Sequence, residues 1–99
     1  MLLVVRLDGS ADTIDVPQFI IDDLESYKKQ FSDWLCDKSV DHSYWAFTDG
    51  NGVKYGLSYR SDALVEWLNA FPLHNTKEKA SIVEFDKDEY DTSLPSVFF

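Results

Sequence analysis

Apolar positions recur along this chain with two periods, and the switches between them mark its elements. Leu2-Leu3-Val4-Val5-Arg6-Leu7 is an aliphatic, β-branched run. It predicts a strand buried on both faces. Asp8-Gly9-Ser10-Ala11-Asp12 then reads as turn chemistry, and Asp15 is placed to cap a helix with Pro17 near its first turn. From Pro17 to about Lys38 the apolar residues Ile20, Leu24, Tyr27, Phe31, Trp34 and Leu35 recur at spacings of four, three, four, three and one. That spacing predicts one helix with a single apolar stripe. Asp22, Asp23 and Glu25 fall in its early turns, where the helix dipole favours carboxylates, and Lys28, Lys29 and Lys38 fall later, where it favours cations.

Two aromatic-rich runs follow, 43–48 and 53–59, separated by Asp49-Gly50-Asn51-Gly52. This predicts a β-hairpin. A three-residue loop over 50–52 sets Phe47 opposite Tyr55 and Trp45 opposite Leu57, with the large apolar side chains on one face. Ser61 is placed to cap a second helix with Asp62 in its first turn, and Leu64, Trp67, Leu68 and Phe71 form its stripe before Pro72 stops it. Lys79 to Asp86 reads as another strand. Residues 87–99 form a tail, acidic first and then apolar (Leu94-Pro95-Ser96-Val97-Phe98-Phe99). Such a tail is expected to dock as an extra edge strand, or else to serve as a hook for a partner.

The predicted order is β-α-β-β-α-β plus a tail, within one α+β domain over residues 1–99. That order matches the split βαβ, or ferredoxin-like, arrangement, with two helices on one face of an antiparallel sheet. The arrangement hosts unrelated functions, so it does not fix one.

Charge changes the picture most. Eighteen acidic residues face nine basic ones in 99 positions, for a net charge of −9, while 44% of residues are hydrophobic and 15% aromatic. The aromatic content supplies a core, so the charge belongs to a folded body. Such a field attracts cationic partners and repels nucleic acid and anionic membrane. The single cysteine, Cys36, excludes an internal disulfide and suits a reducing interior. Leu2–Leu7 is too short for a signal-peptide core, and no run could span a bilayer, so a cytoplasmic location is expected.

The densest acidic cluster is Glu84, Asp86, Asp88, Glu89 and Asp91. It is suited to gripping a basic groove through charge-assisted pairs, or to blunting a sheet edge with solvated charge. Asp22, Asp23 and Glu25, together with Asp33, form a second acidic surface on the long helix. Asp8, Asp12 and Asp15 give the first loop an acidic rim. A calcium loop is not expected. Counting from Asp86, Asp91 stands at the sixth position and Val97 at the twelfth; counting from Asp49, these are Lys54 and Arg60. Cys36 near a helix C-terminus, between Asp33 and Asp37, is in the wrong field for an activated thiolate. His42 and His74 lack a spaced partner for zinc. Lys54-Tyr55-Gly56-Leu57-Ser58-Tyr59 only loosely follows the stacking strand of RNA-recognition domains, and the negative field opposes phosphate. No catalytic, cofactor or metal site is therefore expected.

Tyr44-Trp45-Ala46-Phe47 before Asp49-Gly50-Asn51-Gly52, then Ser61 leading to Trp67-Leu68-Asn69, then Glu78-Lys79-Ala80 before the last strand, form a strand–turn–strand–helix–strand module. It resembles the small acidic immunity proteins of bacterial toxin–immunity systems, including those of contact-dependent growth inhibition. The resemblance implies an inhibitory complex with a cognate cationic toxin, often a nuclease, blocked by carboxylates. It carries over no individual residue. A phage-encoded nucleic-acid mimic aimed at a host nucleic-acid-binding machine would share the same electrostatics.

Overall fold

The computed structural model describes residues 1–7, 10–40, 42–48, 50, 54–87 and 91–98. Its elements run β1 (Leu2–Leu7), β2 (Ser10–Asp15), α1 (Gln18–Asp22), α2 (Leu24–Leu35), β3 (Trp45–Thr48), β4 (Lys54–Leu57), α3 (Ser61–Ala70), β5 (Ser81–Lys87) and β6 (Ser96–Phe98). Four strands form the main sheet in the order β5-β2-β1-β6, and β3-β4 form a separate two-stranded sheet. The fold is an α+β domain with a mostly antiparallel sheet. The ferredoxin-like order does not hold, because the hairpin stands outside the sheet and an unforeseen strand, β2, lies inside it.

β2 replaces the expected turn over 10–12 and the expected cap at Asp15. Ser10–Asp15 is rich in turn formers, which disfavour strands in isolation. Pairing with β1 on one side and β5 on the other satisfies its backbone and overrides that preference. Asp15 instead meets the Met1 ammonium at 3.0 Å. The tail does dock: β6 lies parallel to β1, with Val97 opposite Val5.

One face of the sheet carries the core. Leu3 and Val5 of β1, Ile14 of β2 and Val97 of β6 pack against Ile20 of α1, Phe31 and Leu35 of α2, and Leu64, Trp67 and Leu68 of α3. Each fully buried side chain of this kind contributes about 1.5–3 kcal/mol. On the opposite face Val4 is buried, but Leu2 and Arg6 are exposed, so β1 is covered on both faces only at its middle and not along its length as expected. The long helix is broken. Asp23, at φ −131° and ψ 39°, separates α1 from α2. The apolar spacing suits a continuous helix and a broken one alike, and two aspartates with poor helix propensity mark the break. The stripe of α3 stops one residue short of expectation, because Phe71 leaves helical geometry at the C-cap and is 54% exposed.

The hairpin register matches the three-residue loop, with Trp45 opposite Leu57 and Phe47 opposite Tyr55; Asn51 and Gly52 of that loop lie outside the described residues. Gly56 has φ +69°, and a Cβ there would come within 3.0 Å of the Phe47 ring.

Asp12 ties sheet to helix. It lies opposite Val5, on the core face of β2, with no exposure to water. Arg60 Nη2 donates to its Oδ1 at 2.7 Å, and the Ser61 N–H donates to its Oδ2 at 3.3 Å. Asp12 thus caps α3 from a strand 48 or more residues away. Ser61 is the first helical residue rather than the cap, and its buried Oγ has no partner among the described residues. Asp62 helps locally, its Oδ1 accepting from the N–H groups of Arg60 and Ala63.

Two outcomes test these contacts by urea unfolding. Asp12→Ala leaves Arg60 and the start of α3 uncompensated and should cost about 3 kcal/mol; a loss below about 1 kcal/mol, the scale of an exposed pair, would refute the anchoring role. Gly56→Ala should cost about 1–2 kcal/mol through left-handed strain and the Phe47 clash, and a neutral result would mean that β4 does not hold this conformation in solution.

Candidate functional site

The carboxylates singled out from the sequence fall in two places. Asp22 ends α1 and accepts a hydrogen bond from Gln18 Nε2 at 3.0 Å. Asp23 occupies the break, and Glu25 the first turn of α2, where the dipole stabilises it. All three are exposed. Glu84 is exposed on β5, an edge strand, opposite Thr13, and Asp86 follows on the same strand. Asp88 and Glu89 lie outside the described residues. Asp91 is exposed and accepts from the N–H and hydroxyl of Ser93 at 2.9 and 2.6 Å.

These two groups do not form one patch. β5 runs from Ser81, opposite Asp15, to Lys87, opposite Ala11. Segment 84–87 therefore runs from the middle of β2 toward its start, whereas α1 leaves from where β2 ends. The expected rim at the first loop is also reduced. Asp12 is buried and paired, Asp15 holds the Met1 ammonium, and Asp8 is outside the described residues. An open groove of about 520 Å³ beside Asp15 is lined by Gln18, Glu78 and Lys79.

The residues considered for catalysis have structural settings. Cys36 is exposed at the C-cap of α2. His42 uses both ring nitrogens: Nε2 lies 2.8 Å from the Leu35 carbonyl, and Nδ1 accepts the Tyr44 N–H at 3.1 Å. That pattern fits the neutral ring with its hydrogen on Nε2. His74 is exposed in the turn after α3. Among the described residues, no group of three or more His, Cys, Asp or Glu could hold a metal ion, and no described helix is long and apolar enough to cross a membrane.

Sequence reasoning assigned the aromatic residues to stripes and strand faces and so missed how they gather. Where α2, α3 and the hairpin meet, rings touch in series. Phe71 lies 6.3 Å from Trp34, Trp34 4.8 Å from His42, and His42 5.5 Å from Tyr44 and 5.0 Å from Trp45, on which it stacks. Trp45 Nε1 donates to the Val40 carbonyl, and the Tyr44 hydroxyl donates to Glu66 of α3. Burial first, then the bond to Glu66 and the charges of Glu66 and Asp62, push the Tyr44 phenol well above its ordinary value. Two carboxylates of α3, one turn apart, therefore bear on this ridge. Their i, i+4 spacing was visible in the sequence; their nearness to Tyr44 was not.

Comparison with protein-family models, curated proteins and solved structures returned no match.

The Ser93 hydroxyl and then its N–H hold the Asp91 carboxyl below its ordinary 3.8. A depressed carboxyl adds stability above its unfolded value and loses it as pH falls through the folded one. The 91–93 turn should thus stay formed at mildly acidic pH and loosen only below 3.8. In an NMR pH titration, Ser93→Ala should raise the Asp91 midpoint toward that value; an unchanged midpoint would show that the bonds do not form in solution.

Proposed function

We propose that this chain is a cytoplasmic inhibitory binding protein, an immunity protein or antitoxin that occludes a cationic toxin such as a nuclease. The observation that supports the reading is the number of carboxylates left on the surface of a folded, aromatic-cored body of net charge −9. Asp22, Asp23, Glu25, Glu84 and Asp91 are all exposed. Opposed fields raise association rates by about ten- to a thousandfold, which matters when an enzyme must be caught before it acts. Carboxylates then stand where the toxin expects substrate phosphates and pair with its lysines and arginines. The segment from Glu84 through Asp86, Asp88 and Glu89 to Asp91 is the first contact surface in this reading, and the start of α2 the second.

The test is capture of partners from the source cell, followed by assay of each captured protein. The reading expects a basic enzyme that loses activity when the chain is added in equal amount, with an association rate that falls steeply as salt rises. Reversing Asp86, Asp88 and Glu89 to lysine should slow association about tenfold while leaving dissociation nearly unchanged. A partner that is acidic, or one whose association ignores both salt and these reversals, would remove the proposal's support.

A further inference from the structure

Resting on the reading above and deepening it, we infer that the aromatic ridge of Phe71, Trp34, His42 and Tyr44 receives the cationic partner, and that its occupant is an arginine-bearing segment of that protein. The ridge is continuous, with successive ring centroids 4.8–6.3 Å apart. Phe71 is 54% exposed, while Trp34, His42 and Tyr44 are partly exposed. Aromatic rings at the centre of a polar-rimmed surface are the usual anchors of protein interfaces.

Charge complementarity selects the occupant. Asp62 and Glu66 both act on Tyr44, and neither forms an ion pair among the described residues. Trp34 lies in the last turn of α2 and Phe71 is the C-cap of α3, and neither helix carries a basic residue in its last turn. Their carbonyl ends add partial negative charge there. Three lysines are engaged with groups of the chain itself. Lys29 pairs with Asp33, Lys54 meets the carbonyls of Lys38 and Val40, and Lys79 those of Leu73 and His74. A guanidinium is planar and weakly hydrated, so it stacks on a ring while forking onto a carboxylate. An ammonium does only the second. A second copy of the chain would bring another −9 body to the same surface, which repulsion opposes.

The test titrates the isotope-labelled full chain with an octa-arginine peptide and, in parallel, an octa-lysine peptide, followed by NMR. The Trp34 indole N–H and the amides of Glu66 and Phe71 should shift, with arginine bound more tightly than lysine. Phe71→Ser should weaken arginine binding about threefold, and Glu66→Gln should weaken it as well, with signal dispersion confirming the fold of both. Shifts confined to 22–25 and 84–91, or equal affinity for the two peptides, would overturn this inference while leaving the wider reading intact. Binding of neither peptide at low salt would overturn both.

Discussion

A carboxylate shut away from water must be compensated, and the placement of Asp12 makes that requirement the organising constraint of this fold. The side chain sits on the face of β2 that also holds Ile14, in the middle of an apolar core. Leaving it unpaired would cost several kcal/mol. Arg60 and the first N–H of α3, that of Ser61, meet the need, so the start of that helix is pinned to the centre of the sheet. From that fixed point α3 runs across the sheet, carrying Leu64, Trp67 and Leu68 into the core and Asp62 and Glu66 to the surface. Arg60 itself is 40% exposed at its side chain and lies 6.0 Å from the Phe85 ring of β5. The same pair therefore joins three elements.

Where local chemistry and global packing agree, the sequence was easy to read. α2 and α3 announce themselves by stripe, and the hairpin register follows from which loop length puts Trp45, Phe47 and Leu57 on one side. β5 and the docked Val97 follow from their apolar runs. β2 was illegible because its residues favour turns, and its strand state depends on two neighbours that the sequence does not reveal. Asp12 was misread for a related reason: its partner stands 48 residues away, and nothing near it in the chain marks it as buried. The acidic surface was legible residue by residue, since Asp22, Asp23, Glu25 and Glu84 are all exposed. Its division between the side of β2 and its end was not, because that follows from topology.

The hairpin shows how a small element is held without joining the sheet. Two strands alone are marginal in water. Here the hairpin is fastened to the helices through side chains at its base: His42 bridges the Leu35 carbonyl and the Tyr44 N–H, and the Tyr44 hydroxyl reaches Glu66, while Ser58 N–H closes the base on the Tyr44 carbonyl. The rings that perform this fastening are the same rings that remain partly open to solvent. Structural attachment and partner recognition would then share one set of residues, so that changes at Trp34 or Tyr44 act on both.

The parallel pairing of β6 with β1 brings Val4 beside Ser96. Every other described element lies between the two strands of that seam, so it closes only after all of them have been made. Until then β1 presents an open margin, and its apolar row waits for Val97 to cover it. Contacts so far apart along a chain slow the search for the native state. Closure of this seam is therefore a late step in forming the domain, with β6 acting as the clasp.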